Sequence, residues 1–363
     1  MRLIITADIH NGIPGKLKDC IWAMNIIRQY AQKNDITDII ILGDLFHDRV
    51  SLNIDVLNEV YDFLNLATHD GQSWWCFPGN HDLFLKNSWR MNSLHVFQNV
   101  INIVEDAQMI DVGDTKFCVI PFVHYESEYM KILNDLEKLN PNHPRVLLTH
   151  IGVKGATLNQ CFLLKNWSIV DFVDSTFDKV FAGHFHCHQD VGKVTYPGGP
   201  IPFNFDEGAV EHGFIVYDTD TNTHEFIKMF EVCKQFSPLY KPPDFITILD
   251  EDLPQSLDLI AGNNVRVMLT KAYTNNELVT IKTTLRDKRL AHSVSWLEPK
   301  EQINEDIVKQ TQLNGIGTPE ALFKAWRALE RKTDDLSEDL LMTIHEQIVV
   351  EAEERIVVED IEE

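Results

Sequence analysis

The sequence predicts a layered α/β fold, and two observations carry that prediction. Short apolar runs alternate with segments of helical periodicity as far as Phe77, and the runs end in residue types that bind metals. Arg2 to Asp8 is the first run, ending in Asp8-Ile9-His10, and Leu17 to Gln32 carries Ile21, Trp22, Met24 and Ile26 near one side of a helix. Asp38 to Leu42 is the second run and ends in Gly43-Asp44-Leu45-Phe46-His47. Ile54, Leu57, Tyr61 and Leu64 recur at steps of three and four, giving the next helix. Ser73 to Phe77 then leads into Pro78-Gly79-Asn80-His81-Asp82. Two later strands are expected: Arg145 to Thr149, ending at His150, and Lys179 to Ala182, ending in Gly183-His184-Phe185-His186.

Composition narrows the class. A chain of 363 residues exceeds one typical domain, and 44% hydrophobic with 24% charged residues is ordinary for a soluble globular protein. No apolar run approaches the length needed to span a bilayer, so no membrane association is expected. Met1 to His10 reads as a strand that a cleavable leader would remove. Cys20, Cys76, Cys118, Cys161, Cys187 and Cys233 are scattered without a C-x-x-C pair, which fits a reducing cytoplasm. The net charge of -23 argues against coating nucleic acid by electrostatics alone. Nearly half of it is local, because Asp334 to Glu363 holds about twelve acids against one base, Arg355. Any nucleic-acid binding must therefore come from a local patch, from bound metal or from a partner.

The chemistry sits at the strand ends. Alone, Asn80-His81-Asp82 fits either a catalytic loop or an Asx-turn with a bystander histidine. Five apolar runs that all end in such residues change the balance, because the carboxyl edge of an α/β sheet is where ligands bind. Asp8, His10, Asp44, Asn80, His150, His184 and His186 give seven oxygen and nitrogen donors for one rim, enough for two metal ions sharing a carboxylate. They follow the buried runs instead of lying on an apolar face, unlike core histidines. Two ions about 3.5 to 4 Å apart activate water, polarise a phosphoryl oxygen and stabilise a leaving oxygen, so phosphoester hydrolysis is the expected reaction. His81 is placed beside them as general acid or as a stabiliser of developing charge.

Asp8-x-His10, Gly43-Asp44, Gly79-Asn80-His81-Asp82, His150 and Gly183-His184-x-His186 resemble, in order and interval, the five motifs of the calcineurin-like metallophosphoesterases, over about residues 1 to 230. Gly43-Asp44-Leu45-Phe46-His47 and Tyr196-Pro197-Gly198-Gly199-Pro200-Ile201-Pro202 are similar to the nuclease branch, the SbcD-type subunit of the SbcCD complex and its phage relatives. The resemblance implies a four-layer sandwich and two Mn2+ ions, with Mg2+ as the alternative. One ion would be held by Asp8, His10, Asp44 and His186, the other by Asp44, Asn80, His150 and His184. It also implies catalytic roles for His81 and for His47, the latter in engaging a DNA end. Gly199 stands where Ser is frequent and Thr149 where Gly is common, which touches loop details and leaves the metal set intact. Phosphomonoesterases of the superfamily resemble Gly-Asp-x-Val-Asp-Arg; here Phe46-His47 interrupts that pattern before Asp48-Arg49.

Other residues carry weaker signals. His188 reads as solvent-facing or supporting before it reads as an eighth metal ligand, and Cys187 as a small buried thiol before a ligand for a soft metal. Arg49, Lys86 and Arg90 are equally phosphate contacts or solvated charge. Trp74 and Trp75 read as core before they read as a stacking platform.

The expected organisation is a nuclease domain over 1–235, a small α/β unit over 244–298, a linker over 299–317 and two amphipathic helices over 318–363. Gly213 to Asp218 and His224 to Met229 close the first domain, and Ser237 to Pro243 breaks every period. In the small unit, strands over Asn264 to Lys271 and Ala291 to Leu297 flank a helix over Asn275 to Asp287. Arg286, Lys288 and Arg289 form a basic patch or a solvated helix end. The family resemblance gives this unit a DNA-capping role. It also gives the helices after Thr318 a coiled-coil base of an SbcC-like SMC-family ATPase as partner, against packing back on the catalytic domain. The function expected is a DNA exonuclease and endonuclease subunit in DNA repair or recombination, a homodimer within a heterotetramer, cytoplasmic or in the host cytoplasm if phage-encoded. A phosphatase or nucleotide phosphodiesterase on the same scaffold is the alternative, and a non-catalytic repair scaffold the more distant one.

Overall fold

The computed structural model describes residues 1–85, 88–139, 146–157, 171–172, 175–237, 239–255, 260–271, 273–287 and 291–297. The expected linker over 299–317, the helices over 318–363, Arg145, Lys86, Cys161, Lys288 and Arg289 lie outside the described residues, as does the side chain of Arg286.

The opening alternation is β1 (Arg2–Thr6), α1 (Leu17–Lys33), β2 (Asp38–Ile41), α2 (Ile54–His69) and β3 (Ser73–Cys76). The three strands lie side by side and parallel, with Ile4 opposite Ile39 and Ile41 opposite Cys76. β4 (Asn102–Ile103) extends the sheet beyond β3 in parallel, and β11 (Gly213–Asp218) and β12 (Thr223–Lys228) add antiparallel strands on the β1 side. A second sheet contains β5 (Gln108–Val112), β6 (Thr115–Ile120), β7 (Val146–His150), β8 (Lys179–Gly183), β9 (Gln189–Val191) and β10 (Val194–Tyr196), in the order β5-β6-β7-β8-β10-β9. Its inner strands are parallel and each edge closes with an antiparallel pair.

Alternation along the strands explains how the layers stack. Leu3, Ile5, Ile40, Leu42, Ile215 and Tyr217 from the first sheet share one buried cluster with Phe117, Val119, Val146, Leu148 and Phe181 from the second. The residues between them point the other way. Ile4, Ile39, Ile41 and Phe214 pack under α1, α2 and α4 (Met229–Phe236), whereas Cys118, Ile120, Leu147, Val180 and Ala182 pack under α3 (Glu126–Leu139). The layers are therefore helix, sheet, sheet, helix. Central strands buried on both faces read as continuous apolar runs, which is why β1, β2, β7 and β8 stand out in the sequence. Trp74 is core, 1% exposed, with its indole N–H donating to Gln72.

A smaller sheet of β13 (Phe245–Leu249), β14 (Asn263–Met268) and β15 (Ala291–Leu297) is parallel throughout and carries α5 (Asn275–Asp287). Ile248, Ile260, Val265, Val267, Leu285 and Val294 form its own apolar cluster. Sequence periodicity misses β13, which lies between a Pro-rich break and the acidic run Asp250-Glu251-Asp252. It also runs β14 on to Lys271. The strand ends earlier because Asp250 accepts the Thr270 backbone N–H at 3.1 Å and the Thr270 hydroxyl at 2.7 Å, drawing the chain out of the ladder. Likewise β12 stops at Lys228, and Met229 opens α4.

Phe181 is fully buried between the two large sheets, its ring 5.0 Å from that of Tyr217. Phe181→Ala is expected to cost about 3–5 kcal/mol through lost burial and a residual cavity. Urea denaturation measures this, and a cost below about 1 kcal/mol would contradict the tightly packed sandwich.

Candidate metal centre

The five runs end on one rim because β1, β2 and β3 are parallel neighbours in one sheet and β7 and β8 are parallel neighbours in the sheet stacked on it. The loops that follow are held in strained but bonded conformations. Asp8, His10 and Asp44 have φ of 53°, 52° and 54°, and His184 has φ of 108°. Asp and His tolerate this left-handed region better than most side chains, at a cost on the order of 1–3 kcal/mol each. A backbone ladder offsets the strain by continuing past the ends of β1 and β2. Asp8 N donates to Gly43 O (3.2 Å), His10 N to Asp44 O (3.0 Å), Asn11 N to Leu45 O (2.9 Å) and His47 N to Asn11 O (3.0 Å). Close approach fixes the glycines: a Cβ on Gly43 would lie 2.6 Å from His150 Nδ1, and one on Gly79 would lie 2.5 Å from Asp44 N.

Asp82 ends the central motif yet does not join the rim. It is fully buried, and its carboxylate accepts the backbone N–H groups of Asp44 (2.7 Å), Gly79 (3.0 Å) and Phe46 (3.1 Å). Burial pushes its pKa up to about 7, with the Asp44 charge adding to it, while the Gly79 and Phe46 donors pull it down. The side chain thus ties the loop after β2 to the loop after β3.

The expected donors come together in two overlapping groups. His10 Nε2 lies 3.0 Å from His186 Nε2 and 3.8 Å from Asp44 Oδ2, and ligand atoms of Asp8, His10 and His186 lie within 4.8 Å of one another. His150 Nε2 lies 3.4 Å from Asp44 Oδ2 and 3.0 Å from Asn80 Oδ1, and His184 Nδ1 lies 2.9 Å from the same Asn80 oxygen. Asp44 belongs to both groups.

Hydrogen bonds on the far side of the rings decide what those near atoms are. His150 Nδ1 donates to Leu42 O at 2.7 Å, and His186 Nδ1 to Glu207 Oε1 at 3.0 Å. In their neutral forms both rings therefore aim an Nε2 lone pair at the rim, that of His150 at the Asp44 carboxylate and that of His186 at His10 Nε2, which accepts or donates according to the His10 tautomer. Lone pairs facing lone pairs at 3.0 to 3.4 Å repel unless a proton or a metal cation lies between them. Oxygen and imidazole nitrogen without thiolate suit hard to borderline divalent ions such as manganese or magnesium. The residues present fit such ions. His10 Nδ1, buried without a hydrogen-bond partner, adds an unsatisfied nitrogen beside them.

Charge within the rim is strongly coupled. Burial pushes the Asp8 carboxyl up to about 6, against the pull of His150 and His186, and drives the His184 imidazole down to about 3. At Asp44 burial also opposes ionisation, but His150 and His10 hold its carboxyl well below the usual carboxylate range. Burial disfavours the imidazolium of His150, yet Asp44 raises it to about 9.

His47 and His81 lie at the His10 side. Their rings stack at 5.4 Å and 14°, the His81 ring meets His10 edge-on at 4.9 Å, and His81 Nδ1 donates to His47 O at 2.6 Å. Burial, followed by the charge of His81, lowers the His47 pKa. The rings of Phe203 and Phe122 flank the two ends, near His10 and His186 on one side and near His150 and His184 on the other. His188 faces away, stacked on Phe226 at 3.9 Å with Nδ1 bonded to Tyr196 O. Arg90 is exposed and Arg49 half-buried.

Sequence reasoning missed Asp82 as a loop tie and Glu207 as the partner of His186. Asp82→Ala leaves three buried backbone N–H groups without an acceptor, at about 1–3 kcal/mol each, so a loss of about 3 kcal/mol or more is expected in denaturant titration. Asp82→Asn, which keeps one acceptor oxygen, should lose less. Equal stability of Asp82→Ala and the parent chain would show that the loops hold without this tie.

The profile of the calcineurin-like phosphoesterases matches residues 1–188. Exonuclease subunit 1 of Enterobacteria phage T4 is 24% identical over 238 residues, 62% of this chain and 67% of that protein. Protein 078R of invertebrate iridescent virus 3, whose name marks it as an unproven phosphoesterase, is 24% identical over 184 residues; the match spans 49% of this chain and 51% of that relative. Among solved structures, GAP50 of Plasmodium, the anchor in its inner membrane complex, overlaps 66% of this chain and 95% of its own, with a TM-score of 0.39 and 13% identity. That backbone likeness is too loose to carry an argument. The profile match takes in just over half of the chain and includes Asp8, His10, Asp44, Asn80, His150, His184 and His186 together with His47 and His81. The chain belongs to the calcineurin-like phosphoesterase family, whose members bind divalent metals.

Proposed function

We propose that the chain is a manganese-dependent DNA nuclease subunit that hydrolyses DNA phosphodiesters. The observation that carries this reading is the convergence of two donor groups sharing Asp44, with His81 beside them. The nuclease assignment within the family draws on His47 stacked on His81 and on the relative named an exonuclease subunit. That name also supports a partner, which we take to be an SbcC-like SMC-family ATPase.

Asp8, His10, Asp44 and His186 would hold one ion, and Asp44, Asn80, His150 and His184 the other. Two such ions supply Lewis acidity, polarising a phosphoryl oxygen and lowering the pKa of water. The Leu42 carbonyl fixes the His150 tautomer, and Glu207 does the same for His186, so both rings present Nε2 to the rim. Burial of Asp8 and Asp44 keeps bulk water from competing for their oxygens. His81 is committed at Nδ1 to the His47 carbonyl, which leaves Nε2 for the substrate. When protonated there, it donates a hydrogen bond or a proton to the leaving oxygen. His47 orients His81 and is available to a DNA end.

Beyond the rim, we assign DNA capping to the small α/β unit over 244–298 and ATPase binding to the helices expected over 318–363. The assembly would be a homodimer within a heterotetramer, in the cytoplasm, acting in DNA repair or recombination. No helix among the described residues is long and apolar enough to cross a membrane.

Two measurements check the reading. Manganese at one hundred times its dissociation constant should stabilise the fold by about 2.7 kcal/mol per site, and chelation should remove this; identical melting with and without chelator would contradict a resident metal. Manganese-dependent cleavage should be tested on linear duplex and circular single-stranded DNA. His81→Asn should still bind metal but slow turnover by about 10²–10⁴-fold, and His47→Ser should lose end-dependent degradation selectively. Hydrolysis of a small phosphoester with both DNA substrates left intact would favour a phosphatase or nucleotide phosphodiesterase on the same scaffold.

A further inference from the structure

Glu207 is 7% exposed, and its carboxylate is fully engaged. Oε1 accepts from His186 Nδ1 at 3.0 Å and from Asn204 Nδ2 at 2.7 Å, and Oε2 accepts from Phe203 N at 2.8 Å. The same segment also holds the backbone of His186. His212, 3% exposed, lies with Nε2 3.0 Å from Glu207 O and Nδ1 3.0 Å from Gly199 O, so its neutral ring donates to one of these two carbonyls, and Gly199 N donates to His186 O at 2.9 Å. Ring and main chain of one rim histidine are thus both held from the segment that carries Gly199 and Glu207. Its outer side is anchored as well: Phe205 packs on Phe245 at 5.0 Å, and the Arg266 guanidinium sits 4.3 Å over Phe205 and 3.7 Å from Asp206.

We infer that Glu207 is a positioning residue that fixes the tautomer and ring orientation of His186, and thereby sets the affinity of the Asp8, His10, Asp44 and His186 group for a divalent cation. An acceptor at Nδ1 keeps the proton there and leaves the Nε2 lone pair aimed at the rim, 3.0 Å from His10 Nε2. Without it the proton can settle on Nε2, and the ring can turn about its Cβ–Cγ bond. A carboxylate behind a ligating imidazole also raises its basicity, and removing such a partner elsewhere costs 10–100-fold in metal affinity. The inference rests on the metal reading above.

The test compares the 363-residue chain with Glu207→Leu, which removes the acceptor, and Glu207→Gln, whose amide oxygen still accepts from Nδ1–H. Calorimetric titration with manganese alone should show one site weakened about 10–100-fold in Glu207→Leu and mostly restored in Glu207→Gln. Nitrogen NMR of ¹⁵N-histidine-labelled, metal-free protein, recorded at a pH high enough that the ring is neutral, should show the His186 signal, identified by its loss in His186→Gln, leaving the Nδ1–H tautomer only in Glu207→Leu. A merely structural role would lower the melting temperature of Glu207→Leu while affinity and tautomer stay as in the parent, and that result overturns the proposal. If the parent chain binds no manganese, the metal reading fails, and the tautomer measurement still decides whether Glu207 positions His186.

Discussion

Facing lone pairs are the constraint on which the rest of this structure depends. His150, with its Nδ1 proton given to Leu42, and His186, with its Nδ1 proton given to Glu207, turn bare nitrogens toward Asp44 and His10. Between His150 and the Asp44 carboxylate this is repulsive without positive charge, and between His186 and His10 it is relieved only by a proton on one of the facing nitrogens or by a cation. Protons can supply the charge, and the upward shifts of His150 and His186 to about 9 register that demand: burial opposes both, whereas Asp44 and Glu207 drive them. Divalent cations meet the same demand at several acceptors at once. The site is thus built around charge that its own side chains do not carry when neutral.

Holding that arrangement requires strain, and the sandwich provides the means. Asp8, His10, Asp44 and His184 sit in left-handed backbone, which isolated loops would leave. The ladder from Asp8 to His47 extends pairing beyond the strands, and Asp82 fastens the Asp44 loop to the Gly79 loop with three backbone hydrogen bonds. The apolar interior between the sheets, from Leu3 to Tyr217, keeps the strand ends in register beneath them. Fold stability and site geometry are therefore coupled: a cavity near Phe181 or a lost acceptor at Asp82 disturbs the platform before it touches a donor.

Much of the rim was legible because its signal is local. A buried parallel strand reads as an apolar run, and the residue after its last turn falls on the carboxyl edge whatever the rest of the chain does. Asp8, His10, Asp44, Asn80, His150, His184 and His186 all follow that rule. Residues whose partners come from elsewhere were not legible. Asp82 looks like a third polar member of its motif, and only the folded chain shows that it turns inward to backbone N–H groups 36 to 38 residues away. Glu207 lies 21 residues beyond His186 in a loop with no periodicity. The strand β13 follows a proline-rich break and is held by pairing with β14, a non-local contact that no short window contains.

The most direct test of the central claim is anomalous diffraction from manganese-soaked crystals of the parent chain and of Asp44→Ala. Two manganese peaks are expected, one among Asp8, His10, Asp44 and His186, the other among Asp44, Asn80, His150 and His184, with Asp44 bridging and both weakened in Asp44→Ala. An ordered rim without manganese at either position, or two full peaks that persist in Asp44→Ala, would contradict the account.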